Sequence, residues 1–274
     1  MLDLNTRTTT HQALPASLVA TQHGEVTVLR LSRPEKRNAL DVELIAAIEA
    51  FFSDPPEGTH AVVLHGEGNH FSAGADLSTF VDPSGSAGIE VSRMWHRAFD
   101  RIEYSRVPVV AVLHGGVIGG GLELAAAAHI RVAERSTYYA LPEGTRGIFV
   151  GGGAAVRVPR LIGTARTMDM LLTGRTYGAE EGLALGFSQY VVDNGEGLAT
   201  GIALAERIAT NAPLSNFAMI QALPRIARSD PDSGLFMESL MVTLAVADDE
   251  AKARIRAFFD KRAPKTIPHS ASVG

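Results

Sequence analysis

The stretch VVAVLHGGVIGGGLELAAAA, residues 109–128, decides the fold. Its first five residues are apolar and mostly β-branched, the pattern of a buried strand. A glycine cluster follows at Gly115, Gly116, Gly119, Gly120 and Gly121, and the stretch ends in a Leu/Ala run of high helix propensity. A strand, a glycine turn and a helix start bring bare backbone N–H groups to a helix N-terminus, where partial positive charge collects. Such a place can hold a negative charge that develops during a reaction, and Glu123 sits just inside it. The same residues also read as a plain tight turn in which Glu123 suits the helix dipole, and the stretch alone leaves both readings open. No register of these glycines fits G-x-G-x-x-G, no Lys-Ser/Thr follows as in a P-loop, and no Ser stands in G-x-S-x-G form.

Outward from there, strand and helix patterns alternate. Toward the N-terminus, residues 89–106 read as a helix carrying the only tryptophan, Trp95, after a Pro/Gly/Ser linker at 82–88. Residues 71–77, FSAGADL, form a loop of small residues that lets a ligand approach the backbone. Residues 60–64 read as a strand, Asp41 as the N-cap of a helix through Phe52, and 18–23 with 25–31 as a hairpin. Residues 1–17 are polar and aperiodic, and a disordered tail is expected there. Toward the C-terminus, strands are expected at 130–133, 137–140 and 188–192, and a glycine-rich turn at 147–153 opens a helix over 154–162. Two more helices are expected at 165–173 and 178–185. Beyond about residue 192 only helical spacing remains, at 196–210, 214–226, 234–247 and 249–261. The pattern predicts an α/β core over 18–195 and a helical region over 196–274.

Composition narrows the function. The 274 residues carry 46% hydrophobic and 20% charged side chains, ordinary for a soluble globular protein. A formal net charge of -5 argues against a nucleic-acid partner. There is no cysteine, so disulfides and thiolate metal sites are excluded, and no metal is expected. No apolar run is long enough for a bilayer span and no signal-peptide pattern opens the chain, so no membrane partner and a cytoplasmic setting are expected.

Three of these stretches, FSAGADL at 71–77, HGGVIGGGLEL at 114–124 and LPE at 141–143, together resemble the enoyl-CoA hydratase/isomerase family, the crotonase superfamily. The likeness runs from about residue 18 to 264 and takes in RPEKRNAL at 33–40, LLTGRTYGAEEGLALGF at 171–187 and RAFFDKRAPK at 256–265. It implies a crotonase-like spiral core of repeated β-β-α units with a C-terminal helical trimerisation region. It implies an acyl-CoA substrate, no cofactor beyond the CoA that the substrate carries, and a homotrimer or a hexamer made as a dimer of trimers. The thioester oxygen is then expected in an oxyanion hole made by the N–H groups of Ala73 and Gly120. Glu123 and Glu143 match the two glutamates with which hydratases of the family handle water, and retention of both favours hydration across the α,β double bond. The CoA moiety is expected on Lys36, Arg37, Ala39, Gly74, Ala75, Asp76, Leu77 and Lys265. An isomerase, a hydrolase or C–C lyase of the same fold, and a non-catalytic acyl-CoA binder are the alternatives.

Two departures from the family pattern stand out. Arg146, Phe149 and Val150 add charge and bulk after the second glutamate. His114 replaces the usual Asn and is expected to bond backbone at a strand end.

Overall fold

Strand β4 (Val109–Leu113) is buried at all five positions, as a parallel strand covered on both faces must be. The computed structural model describes residues 14–79 and 85–262. The chain begins with β1 (Leu18–His23) and β2 (Val26–Leu31), a hairpin turning at Gly24 with φ +56. Helix α1 (Val42–Ser53), strand β3 (Ala61–Gly66) and helix α2 (Gly85–Glu103) precede β4. Next come β5 (Gly116–Ile118), α3 (Gly120–Ala127), β6 (Ile130–Glu134), β7 (Tyr138–Ala140), α4 (Ala154–Ile162) and α5 (Thr164–Thr173). Then β8 (Tyr177–Gly178), α6 (Ala179–Leu185), β9 (Tyr190–Val192) and α7 (Gly197–Ala209) follow. The larger sheet has six strands in the order β1-β2-β3-β4-β6-β9, and the smaller three in the order β5-β7-β8.

Successive side chains of a strand point to opposite faces, and the two faces of the larger sheet are covered differently. One face carries Leu29, Leu31, Val62, Leu64, Ala111 and Leu113, in one core with Leu44, Ile48 and Phe52 of α1 and Phe99 of α2. The other carries Val26, Val28, Val63, Val110, Val112 and Val132 against Ala205 and Ala209 of α7. A Cβ at Gly201 of α7 would collide with Val112, so this helix lies directly on the strands. The expected boundary after residue 195 is therefore corrected: α7 belongs with the sheet, and the first compact unit ends at Asn211.

The second unit, from Ala212, contains α8 (Pro213–Gln221), α9 (Leu223–Ile226), α10 (Pro231–Ala247) and α11 (Asp249–Phe259). Asp230 and Asp248 cap the last two helices, accepting N–H bonds from Ser233 at 3.0 Å and from Glu250 at 3.0 Å. Helix α10 is apolar around its circumference, and Leu235, Phe236, Leu240, Val242, Leu244 and Val246 are exposed. No helix among the described residues is long and apolar enough to cross a membrane.

Two local readings change. The glycine cluster contains strand β5, which pairs with β7 and bridges from Val117 to Ser72. Long-range pairing makes this strand, not local propensity. Of the expected tail, residues 1–13 lie outside the described residues, while the next few are in place: the N–H of Leu18 donates to Pro15 at 2.9 Å and that of Ser32 to Ser17 at 2.8 Å.

Candidate active site

Strand β5 delivers the chain to α3 through Gly119, whose φ of +52 belongs to the left-handed region that glycine accepts. The N–H of Gly119 donates to Ala140 at 2.9 Å, which ties the start of α3 to the end of β7. Gly120 opens the helix, and its own N–H has no intrahelical acceptor. Across from it runs the small-residue loop. Its ladder to Leu40 uses the carbonyl of Gly74 (2.8 Å) and the N–H of Asp76 (2.8 Å). The residue between them, Ala75, turns its N–H the other way, as alternation along an extended chain requires.

The structure corrects the expected donor pair. The N–H of Ala73 donates to the carbonyl of Arg37 at 2.8 Å and is occupied. Gly74, with φ +89, swings the chain between the two alanines, and it is the N–H of Ala75 that meets no acceptor among the described residues. A Cβ placed on Gly120 would lie 3.3 Å from the Ala75 nitrogen, and one placed on Gly74 would lie 3.1 Å from the Gly120 nitrogen. Two unused amides therefore stand side by side at a helix N-terminus.

Glu123, one turn into α3, is 3% exposed. Its Oε1 accepts N–H bonds from Gly152 at 2.8 Å and Ala154 at 2.9 Å, the turn and first residue of α4. A carboxylate at a helix start is favoured by the dipole and by amides that have no other partner. Burial raises its pKa, and these amides together with the guanidinium of Arg157 offset only part of that rise.

Glu143 is 8% exposed and arrives differently. Strand β7 ends at Ala140, and Glu143 starts the short 3-10 turn Gly144–Arg146, its own carbonyl accepting from Arg146 and Ile148 at 3.0 Å each. Its side chain lies over Gly119, where a Cβ would come within 2.7 Å of Oε1. Its Oε2 is buried without a hydrogen-bond partner among the described residues. Burial first, and the nearby charge of Glu123, raise its pKa to about 7. Two carboxylates held this way share protons as a pair.

Both glutamates, Gly119, Gly120 and the loop residues Ala73, Gly74, Ala75 and Leu77 line one cavity of about 350 Å³. Its opposite wall is apolar, built from Val91 and Trp95 of α2 with Ile148, Phe149 and Val150, and Ser92 and Arg146 add polar groups. Trp95 packs edge-on against Phe99 with ring centroids 5.6 Å apart. Val150 is buried, whereas Phe149 is 72% exposed at the rim. Among the expected CoA contacts, Gly74, Ala75 and Leu77 fall on the cavity and Lys36, Arg37, Ala39 and Asp76 do not. Lys36 donates to Asp76 at 3.0 Å and Arg33 joins it at 3.0 Å. The Ser78 hydroxyl, Lys36 and Arg33 hold Asp76 well below the usual carboxylate range. Both backbone groups of Ala39 are used, the N–H by Lys36 at 3.1 Å and the carbonyl by Arg33 at 2.7 Å. Lys265 lies outside the described residues. His114 bonds the carbonyl of Gly68 at 3.0 Å, a strand-end histidine on backbone. No cluster of three or more His, Cys, Asp or Glu able to hold a metal exists among the described residues.

Sequence reasoning missed Ser92, the Gly152 and Ala154 amides, and Arg157. The glycine run at 151–153 was the visible signal for the amides. Nothing local marks Arg157, whose partners lie more than fifty residues earlier in the chain.

Comparison with known proteins places the chain in a family. A model of the enoyl-CoA hydratase/isomerase family matches residues 21–266, and the chain belongs to that family. A Bacillus subtilis (strain 168) protein named as a probable enoyl-CoA hydratase is 31% identical over 244 residues, 88% of this chain and 94% of that protein. The short-chain-enoyl-CoA hydratase of Clostridium acetobutylicum is 29% identical over 249 residues, 90% of this chain and 95% of that protein. Among solved structures, a Rhodopseudomonas palustris CGA009 protein assigned as an enoyl-CoA hydratase superposes with a TM-score of 0.88 at 57% identity. That match covers 93% of this chain and 98% of the other.

Proposed function

We propose that Glu123 takes a proton from the added water while Glu143 gives one to the α-carbon, with the thioester oxygen held by the N–H groups of Ala75 and Gly120. The chain is an enoyl-CoA hydratase-type hydro-lyase acting on an acyl-CoA. The observation that carries the division of roles is the inequality of the two carboxylates. Burial raises the pKa of both, but two amides on one oxygen of Glu123 work in favour of its ionised form, whereas Glu143 has a buried oxygen with no donor to do so. In the forward reaction the water oxygen bonds to the β-carbon as its proton passes to Glu123. The double-bond electrons move toward the thioester oxygen, where the two amides stabilise the developing charge, and the α-carbon collects the proton of Glu143. The pair begins and ends with one proton, so a return transfer between the glutamates or through solvent restores the site.

Arg37, exposed on a left-handed turn, and the backbone of residues 74–77 are our proposed contacts for CoA. The exposed apolar surface of α10 is of a kind that a symmetric interface covers, and we assign it to a homotrimer or a dimer of trimers. A hydration assay with crotonyl-CoA, followed by branched and aromatic enoyl-CoAs, tests the chemistry. Absorbance loss at the enoyl thioester band is expected with at least one of them. Double-bond migration without hydration by the purified protein would replace this reading with isomerisation. Light scattering at micromolar concentration should report three or six chains, and a stable monomer would remove the assembly.

A further inference from the structure

We propose that Arg157 is a positioning residue for Glu123, fixing the turn that holds this carboxylate and placing a positive charge behind it. The inference rests on Glu123 being the base of hydration. Arg157 lies three residues after Ala154 in α4 and is only 7% exposed. Its Nε donates to Glu103 at 2.7 Å and its Nη2 to Asp100 at 2.5 Å. Those acids are three residues apart on α2, hence on one side of that helix. The remaining nitrogen, Nη1, points back to the carbonyl of Gly152 at 3.4 Å. Gly152 is also the residue whose N–H holds Glu123. A Cβ on Gly153 would collide with the guanidinium, so the turn lies directly on it.

This geometry joins three parts of the site. The turn supplies the amides for Glu123. Helix α2 supplies Trp95, whose ring a Cβ on Gly120 would approach to 2.6 Å and one on Gly152 to 2.9 Å. Helix α4 supplies the dipole and the Ala154 amide. Arg157 bonds both α2 and the turn with one rigid planar group, a geometry that lysine does not reproduce. Exposed ion pairs contribute little, and Asp100 is 59% exposed, but Glu103 is 13% exposed and the arginine less, so the Glu103 arm of the fork is mostly out of water.

The charges around Glu123 define the electrostatic part. The amides of the turn and the Arg157 cation favour its ionised form. Glu143 and Arg146 share its cavity, and Asp100 and Glu103 partly neutralise Arg157 from behind. Removing the cation should raise the pKa of Glu123, and removing Glu103's charge should lower it.

The test compares Arg157→Met, Arg157→Lys and Glu103→Gln with the wild type in kcat, KM and the acid limb of kcat/KM. Melting temperature and acyl-CoA binding are followed beside them. Misplacing a catalytic group by about 1 Å costs on the order of a hundredfold, and that loss of kcat is expected in Arg157→Met with KM nearly unchanged. Its acid limb should move up, because the opposite charge that favours the ionised form is gone. Arg157→Lys should lose about tenfold with the limb in place, because the charge stays and the fork does not. Glu103→Gln should move the limb down. A folded Arg157→Met with an unmoved limb and wild-type kcat overturns the proposal. So does a set of variants that differ only in melting temperature. Where Arg157→Met does not fold, the downward shift in Glu103→Gln decides, and its absence counts against the proposal. Infrared titration of the Glu123 carboxyl, identified by subtraction of Glu123→Gln, gives the same shifts without turnover. Failure of hydration itself thus stays separate from failure of this inference.

Discussion

Where α3 meets the start of α4, Glu123 receives two backbone N–H groups on one oxygen and has a guanidinium behind them. Where β7 runs into its 3-10 turn, Glu143 keeps a buried oxygen that no donor reaches. Both residues are withdrawn from water, and burial raises the pKa of each. The backbone beneath them differs as well. A helix start offers amides with no other acceptor, whereas the turn under Glu143 already spends its amides on the residue's own carbonyl. One fold thus produces a carboxylate suited to accept a proton and another suited to hold one, within a single cavity.

Exchanging each glutamate for glutamine breaks this asymmetry most severely. Loss of a general acid or base costs about 10²–10⁴ in turnover, and that range is expected for Glu123→Gln and for Glu143→Gln, with acyl-CoA binding retained. The pH profile distinguishes them. With its pKa pushed up to about 7, Glu143 gives up its proton as pH rises through that value, so wild-type kcat/KM should fall there. The residual activity of Glu143→Gln should lack that basic limb, and Glu123→Gln should keep it. Stability follows the same group: between the ordinary 4.5 and about 7 the folded chain retains a proton that the unfolded chain releases. Folding stability therefore drops as pH rises through this window, and Glu143→Gln should flatten the drop. A basic limb that survives in Glu143→Gln would reassign the acid.

The strands and helices behind this asymmetry were largely legible, because alternation and apolar runs follow burial and burial repeats along the sequence. Asp41 reads as an N-cap in the sequence, and its carboxylate accepts from Leu44 at 2.9 Å. Glu123, Gly120 and Glu143 stand in motifs visible in the sequence and line one cavity. The choice between Ala73 and Ala75 was not legible, since it depends on the single left-handed φ at Gly74 and on which amide Arg37 captures. Strand β5 was hidden in glycines because its pairing partner lies some twenty residues on. Arg157 was hidden for the same reason: a charged residue declares its role only through the distant groups that bury it.

A middle-sized effect is expected at Gly120, where the two amides meet the apolar wall. A methyl there would stand 2.6 Å from Cζ3 and 2.9 Å from Cη2 of Trp95. Trp95 is buried against Phe99 and has little room to give way. Overpacking of this kind costs about 1–3 kcal/mol, so Gly120→Ala should melt lower and lose activity, although its N–H is intact. Trp95→Phe in the same chain should return part of both losses by removing the offending edge. If Gly120→Ala keeps wild-type melting temperature and turnover, the amide and the indole are not as close as described.

The smallest effect is expected where the Glu123 side of the cavity is tethered at its rim. Ser92 of α2 donates its hydroxyl to the carbonyl of Gly151 at 2.7 Å, one residue before the amide that holds Glu123. This contact resembles that of Arg157, since both join α2 to the same turn, but it is neutral and sits in a more exposed place. A neutral hydrogen bond of this sort contributes about 0.5–1.5 kcal/mol, and near solvent the lower figure applies because water replaces the lost partner. Ser92→Ala should therefore change kcat by no more than a few fold and leave both limbs of the pH profile in place, while Arg157 continues to hold the turn from beneath. Combined with Arg157→Lys, it should cost more than the sum of the two single changes, because each tether then bears on a turn that the other no longer fixes. Steady-state kinetics on the four proteins of this cycle measure that coupling. Strict additivity would mean that Ser92 and Arg157 act on the turn independently. A hundredfold loss in Ser92→Ala alone would mean that the hydroxyl meets the substrate itself, and the polar side of the cavity would then extend beyond the two glutamates.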